Sequence, residues 1–358
     1  MLTPCFLEEN NMQKEFSKRG LGLVLILVFL LSGCEKTAPK SYPFDYSGPI
    51  MGTSFSIKAT QLPEGVTSVQ LQELIQLRLI SINQGMSTYI SDSELSLLNA
   101  LQSTEEQVVS TELFKVLAAA QEISQLSEGA FDITVGALVN LWGFGPDTMQ
   151  YKAPDTQAIQ QLLANSGYQQ FVLDEQALTV TKNTTSLSMD LSALAKGYAV
   201  DEVATVLEKQ GISNYLVEIG GELRLKGVNL QGKKWRIAIE KPNVAKRELQ
   251  RVLPITDIAM ATSGDYRNFF EQGGQRFSHT IDPRTGYPVT HKLASVTVLT
   301  DTSMYADAWA TALMVLGSEA GYQKAEQQKI AALFIIKTEQ GFAEQATPLF
   351  LELTKVKL

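Results

Sequence analysis

Cysteine is nearly absent from this chain. The two present, Cys5 and Cys34, both fall within the first 34 positions, so the body of the protein can form neither an internal disulfide nor a thiolate metal site. Histidine is equally scarce, with only His279 and His291. Any metal must therefore be held mainly by oxygen, which favours magnesium or calcium over structural zinc. No cluster of lysine and arginine stands against the net charge of −8, which leaves nucleic acid no electrostatic foothold and excludes it as a partner. The apolar run Leu21 to Leu31 is shorter than the roughly 20 residues a permanent membrane-spanning helix needs. The upstream glycines of a Walker loop are missing before Lys196-Gly197, so ATP hydrolysis of that type is not read here. Internal repeats and low-complexity segments are also lacking.

What is present is an ordinary globular composition, 44% hydrophobic and 19% charged over 358 residues, enough for one large domain or two modest ones. The first 33 residues differ from the rest. Lys14, Lys18 and Arg19 precede the apolar run, and Leu31-Ser32-Gly33-Cys34 follows it, the layout of an export signal. Met12 is an alternative start, because Glu8 and Glu9 stand where a signal prefers positive charge. The tetrapeptide resembles a bacterial lipobox, which implies cleavage before Cys34, lipidation of that cysteine and attachment to a membrane. Residues 34–43 then read as the lipidated cysteine and a polar, proline-containing tether, and residues 44–358 as the folded domain.

Within that domain Ser54 to Lys58 alternates as an opening strand, and Val66 to Gln84 is helical in pattern. Thr111 to Leu126 is more clearly so: Leu113, Val116, Leu117, Ala120 and Ile123 form one stripe, with Gly129 as the stop. Asp155 caps a helix to Asn165, Phe171 to Leu173 and Leu178 to Thr181 form a hairpin, and Ser192 caps a helix reaching Gly211. Strands follow at Tyr215 to Ile219, Glu222 to Lys226, Trp235 to Glu240, Arg251 to Ile255 and Ser295 to Thr300. Helices over Tyr305 to Leu313 and Ser318 to Gln328 precede strands at Ile330 to Lys337 and in the terminal residues. Strands run together before helices return, which favours α+β over a doubly wound parallel sheet.

The stretch Ala259 to Val289 gathers small residues, hydroxyls, carboxylates, glycine and proline around Ser278-His279-Thr280-Ile281-Asp282. It reads as a binding loop rather than a core strand. Further on, Asp307 and Thr311 stand one helical turn apart and point the same way. His279 has the side chain best suited to proton handling near neutral pH, whereas His291, with no motif around it, reads as a solvated loop residue. The segment Asp190 to Tyr198, the His279-Thr280-Ile281-Asp282-Pro283 run and Asp307 to Leu313 together resemble the ApbE-like family of FAD:protein FMN transferases, over roughly residues 45–350.

That resemblance implies a fold and a site. The fold would be α+β, mixed or antiparallel sheets packed with helices, with a flavin cleft between two interleaved subdomains. FAD would be bound by Met51, Tyr89, Ala130, Phe131, Asp132, Asp190, Lys196 and Ile281. Aromatic and methionine side chains suit the flat isoalloxazine or adenine, and carboxylates suit the ribityl or ribose hydroxyls. Mg²⁺ would take the backbone carbonyl of Ala193 and the side chains of Asp307 and Thr311, and His279 would be the catalytic residue. The implied reaction is Mg²⁺-dependent transfer of FMN from FAD to a threonine or serine of an acceptor protein, releasing AMP, on the periplasmic side of the bacterial envelope. With water as acceptor the same site is an FAD pyrophosphatase giving FMN and AMP; without chemistry the chain is a lipid-anchored flavin-binding protein.

Overall fold

The computed structural model describes residues 42–146, 152–242, 248–266 and 268–357. Strands β1 (Phe44–Ile50) and β2 (Thr53–Ala59) form a hairpin, followed by helices α1 (Ser68–Met86) and α2 (Glu94–Ala100), the two-residue strand β3 (Gln107–Val108), and helices α3 (Thr111–Leu126), α4 (Gly136–Leu141) and α5 (Thr156–Leu163). Strands β4 (Phe171–Asp174) and β5 (Thr179–Lys182) pair with β3. Next come α6 (Ala195–Lys209), β6 (Tyr215–Ile219), β7 (Glu222–Lys226), β8 (Trp235–Glu240), β9 (Leu249–Ile255) and β10 (Ile258–Gly264). The hairpins β11 (Phe269–Gln272) with β12 (Gln275–Ser278) and β13 (Ile281–Asp282) with β14 (Tyr287–Pro288) lead to β15 (Leu293–Thr300), α7 (Ser303–Gln327), β16 (Ala331–Thr338), β17 (Gly341–Ala346) and α8 (Pro348–Thr354).

Eight strands make the main sheet in the order β1-β2-β6-β7-β10-β15-β16-β17, and every ladder in it is antiparallel. Side chains alternate between its faces as the pleat requires. Val217, Ile219, Ala261, Val296, Val298 and Phe334 join the larger core under α1, α3, α6 and α7. Leu223, Leu225, Met260, Leu299, Leu333 and Ile335 face the other way, against the β8–β9 hairpin and Phe350 of α8. The predicted stripe of α3 is wholly buried; burying each of its large aliphatic side chains contributes roughly 1.5–3 kcal/mol. A third cluster, Leu138, Trp142, Ile159, Phe270 and Ile281, ties α4 and α5 to the small hairpins.

The architecture is α+β as the sequence implied, with two differences. Residues Ala259 to Gly264, assigned to a loop, are a strand of the main sheet, paired along their length with β15 and, at Ala259 and Met260, with β7 as well. Their small side chains suit a layer covered on both faces, and their hydroxyls pair within the sheet, Thr262 with Thr297 at 2.9 Å. The chain ends in a helix rather than a strand: Thr347 caps it, accepting from the Phe350 N–H, and Pro348 opens its first turn. Tyr42–Leu358 hold together as one compact unit.

Candidate active site

Two glycine-containing turns meet at one end of the main sheet. In the β1–β2 turn Met51 and Gly52 both have positive φ, 48° and 69°, the geometry whose twist matches the flanking strands. Met51 is held there against the steric preference of a side-chain-bearing residue, and its half-buried side chain packs on the main core. The neighbouring β6–β7 turn is Gly220-Gly221, and the Gly220 N–H donates to the Ser54 carbonyl at 3.0 Å, tying one turn to the other. A β-carbon on Gly220 would stand 2.9 Å from Thr53 Cγ2, 3.2 Å from Lys196 Cδ and 3.3 Å from Glu222 Oε2. Its absence lets the Lys196 side chain pass.

Lys196 comes from the first turn of α6. Ahead of it Asp190 Oδ1 accepts from the Ser192 N–H at 2.8 Å, and the Leu191 carbonyl accepts from Leu194 and Ala195 at 3.1 and 2.8 Å. The helix starts at Ala195 with Leu194 as its N-cap and no side-chain cap bond, so Ser192 is not the cap. Its carbonyl instead accepts from Lys196 Nζ at 3.2 Å. The Ala193 carbonyl is engaged by none of these bonds.

Lys196 Nζ lies 3.3 Å from Glu222 Oε1 and 3.4 Å from Asp307 Oδ2. Asp307 Oδ2 also accepts from the Gly197 N–H at 3.2 Å. The contact depends on glycine, because a β-carbon on Gly197 would meet the Ser303 carbonyl oxygen at 2.3 Å. One turn along α6, Asp201 accepts from the Ser303 and Met304 N–H groups, each at 2.9 Å. It thereby caps α7, whose own N-cap Thr302 makes no side-chain bond, and Arg224 pairs with Asp201 at 2.9 Å. Thr311, half-buried, follows Asp307 by one turn of α7.

Two buried carboxylates here share one ammonium. Burial raises the pKa of Asp307 against the pull of Lys196, and it pushes Glu222 up to about 8 against the same pull. Burial works against the charge on Lys196, but Asp307 and Glu222 outweigh it and hold the ammonium above its ordinary value. A single ammonium thus serves both carboxylates, and Glu222 Oε2 is buried with no hydrogen-bond partner. Among the described residues no three His, Cys, Asp or Glu side chains gather as a metal cage. A single carboxylate beside a hydroxyl and a carbonyl oxygen is a donor set of the kind magnesium takes, its shell completed by water and phosphate.

His279 donates its backbone N–H to the Asn268 carbonyl at 3.0 Å, and its ring Nδ1 lies 3.0 Å from the same oxygen. A carbonyl only accepts, so Nδ1 carries the proton and Nε2 is left with its lone pair. Burial lowers the His279 pKa; the Asn268 carbonyl opposes this and the charge of Lys196 adds to it. Phe144 meets the imidazole edge-on at 6.3 Å, and its carbonyl accepts from the Tyr89 hydroxyl at 3.3 Å. Tyr89 is 68% exposed, an open ring at the surface rather than core packing. Partial desolvation of its hydroxyl end and the charge of Asp190 raise the hydroxyl pKa.

The remaining positions divide. The Asp190 N–H donates to the Ile133 carbonyl at 2.7 Å, which sets the Ala130–Asp132 loop beside Asp190. Ala130 and Phe131 are themselves buried. The Phe131 ring belongs to the main core, which leaves its backbone as the part of this residue nearest the loop surface. Asp132 Oδ1 accepts from the Thr134 N–H and hydroxyl at 2.8 and 2.7 Å. Ile281 is buried in the third cluster. His291 is not a solvated loop residue: both ring nitrogens are buried without partners and the ring packs on Gly317, where α7 kinks. Cys34, the signal, the tether up to Ser41, and Arg267 lie outside the described residues. Sequence reasoning gave no role to Glu222, Asp201 or Phe144; a double glycine leading into a carboxylate at a strand start was the one available signal for Glu222.

Solved structures similar to this one include flavin transferases. The flavin transferase ApbE from Vibrio cholerae matches with a TM-score of 0.81 at 46% identity, over 86% of this chain and 98% of its own. The flavinyl transferase ApbE of Pseudomonas stutzeri, in apo form, matches with a TM-score of 0.81 at 37% identity, over 88% and 97%. Fold and relatives thus place the chain in the class of flavin transferases. A family model described as the ApbE family matches residues 51–334, and the FAD:protein FMN transferase of Vibrio cholerae serotype O1 is 47% identical over 328 residues, 92% of this chain and 97% of that protein. The chain belongs to the ApbE family.

Proposed function

We propose that this chain transfers FMN from FAD to a threonine or serine hydroxyl of an acceptor protein and releases AMP, with Mg²⁺ held by Asp307, Thr311 and the Ala193 carbonyl. The observation that carries the reading is the pair of buried carboxylates, Asp307 and Glu222, gathered around the Lys196 ammonium, found in a chain whose relatives are named for this reaction. The acceptor hydroxyl attacks the FMN-side phosphorus; a new P–O bond forms, the bridging P–O bond breaks, and AMP leaves with that oxygen. When bound, the cation neutralises charge developing on the phosphates. His279 Nε2 accepts the hydroxyl proton, since Nδ1 is committed to Asn268. Lys196 sets its ammonium against the phosphate oxygens. The Tyr89 ring and Met51 supply flat and apolar contact, and Asp190, Asp132 and the backbone of Ala130, Phe131 and Ile281 line the ligand.

Attachment through Cys34 to the periplasmic side of a bacterial membrane belongs to the same proposal, supported by the Leu31-Ser32-Gly33-Cys34 run behind an apolar segment. Among the described residues no helix is long and apolar enough to cross a membrane. The test is incubation of purified protein with FAD, Mg²⁺ and acceptor domains, read by mass spectrometry. Acceptor heavier by FMN, with AMP released and the reaction stopped by EDTA, is the expected result. FMN and AMP formed at equal rates with and without acceptor would make the protein a pyrophosphatase, and a reaction indifferent to EDTA would overturn the cation assignment.

A further inference from the structure

The arrangement around Lys196 raises a question of occupancy. Its ammonium stands 3.4 Å from Asp307 Oδ2, where it neutralises the carboxylate assigned to the cation. Both of its ion pairs, at 3.3 and 3.4 Å, are longer than the 2.7–2.9 Å of a committed charge-assisted hydrogen bond. The ammonium is shared, not fixed. A divalent ion on Asp307 repels a neighbouring ammonium, so ion binding requires Lys196 to shift its charge elsewhere.

The other partner offers the place. Glu222 is 4% exposed, its Oε1 already reaches Lys196, and its Oε2 is buried and unpartnered. The missing β-carbon of Gly220, 3.2 Å from Lys196 Cδ and 3.3 Å from Glu222 Oε2, leaves room for the lysine to swing between the two carboxylates. We propose that Glu222 is a positioning residue which draws the Lys196 ammonium off Asp307 and so frees that carboxylate for the divalent ion. This rests on Asp307 being a ligand of the ion. Glu222 itself binds neither the ion nor FAD; it acts through Lys196.

The test uses Mn²⁺ as probe on the full-length protein without FAD, with binding followed by electron paramagnetic resonance, so that no turnover is needed. Glu222→Gln keeps the shape and removes the carboxylate that can take the ammonium; it weakens Mn²⁺ binding about 10-fold, the cost typical of losing a group that supports a ligand, while Glu222→Asp recovers part of the loss. The deciding measurement is the same substitution in a Lys196→Met background, where there is no ammonium to remove. There the Glu222→Gln penalty largely disappears. An equal penalty in both backgrounds overturns the inference, because Glu222 would then act on the ion directly, and so does unchanged binding in the single variant. Unfolding midpoints without ion accompany each variant; a Glu222→Gln protein that loses ion affinity only in proportion to a lowered midpoint also counts against it. The premise is checked separately: Mn²⁺ binding that survives Asp307→Ala removes the ion site itself, whatever Glu222 does.

Discussion

One carbonyl decides what His279 can do. Asn268 O accepts from both the backbone N–H and ring Nδ1 of His279, so the neutral imidazole presents Nε2 as an acceptor, the form a general base needs. Burial lowers the pKa, and the positive charge of Lys196 works in the same direction. The sign follows: protonation, which would block Nε2, requires a pH below the ordinary imidazole value of about 6.5. The acid limb of kcat/KM for flavin transfer is therefore expected below pH 6.5, with a flat response above it until another group titrates. Replacing His279 with Gln should remove that limb and slow transfer about 10²–10⁴-fold. Stopped assays of acceptor flavinylation across pH 5 to 8 measure both; a limb unchanged in the variant assigns it to some other group.

At the scale of elements, the site depends on how closely α6 approaches α7. Gly197 is the contact, and the atoms a β-carbon would strike are backbone, Ser303 O at 2.3 Å and Met304 Cα at 2.7 Å, which no rotamer change can relieve. Gly197→Ala should separate the helices and destabilise the fold by about 1–3 kcal/mol, as overpacking does. It should also break the Gly197 N–H bond to Asp307 and weaken ion binding. Urea unfolding together with Mn²⁺ titration checks it, and a variant as stable as the parent would mean the helices cross with more slack than these distances allow. The same dependence sets the limit of what the sequence discloses. α3 was legible to the residue because its stripe is local, and Lys196-Gly197, the His279 to Pro283 run and Asp307 with Thr311 were legible because each motif is contiguous or one turn apart. Glu222 and Asp201 were not, since Glu222 pairs with Lys196, 26 residues before it, and Asp201 with Ser303, 102 residues after it, and these meet only through sheet order and helix crossing. Strand β10 was read as a loop because its hydroxyls and small residues suit a ligand as well as they suit a sheet covered on both faces.

For the whole molecule, the described residues are engaged with the sheet and its cores from their N-terminal end. Tyr42 stacks on Trp235 with ring centroids 5.9 Å apart, and Phe44, 1% exposed, is already in the main core. Every site residue from Met51 onward is thus carried by a unit beginning at Tyr42, whereas Cys34 serves only attachment in the proposed scheme. Anchoring and chemistry should separate. A chain cut just before Tyr42 is expected to unfold at the same temperature as the lipidated protein and to flavinylate a soluble acceptor domain at the same rate. Full-length protein carrying Cys34→Ser should lose its partition into the membrane fraction while keeping transfer. Calorimetry, fractionation and the flavinylation assay on the three proteins decide it. A lowered unfolding temperature in the shortened chain would place part of the preceding segment in the core, and membrane partition that persists in Cys34→Ser would assign attachment to the apolar run instead of the lipid.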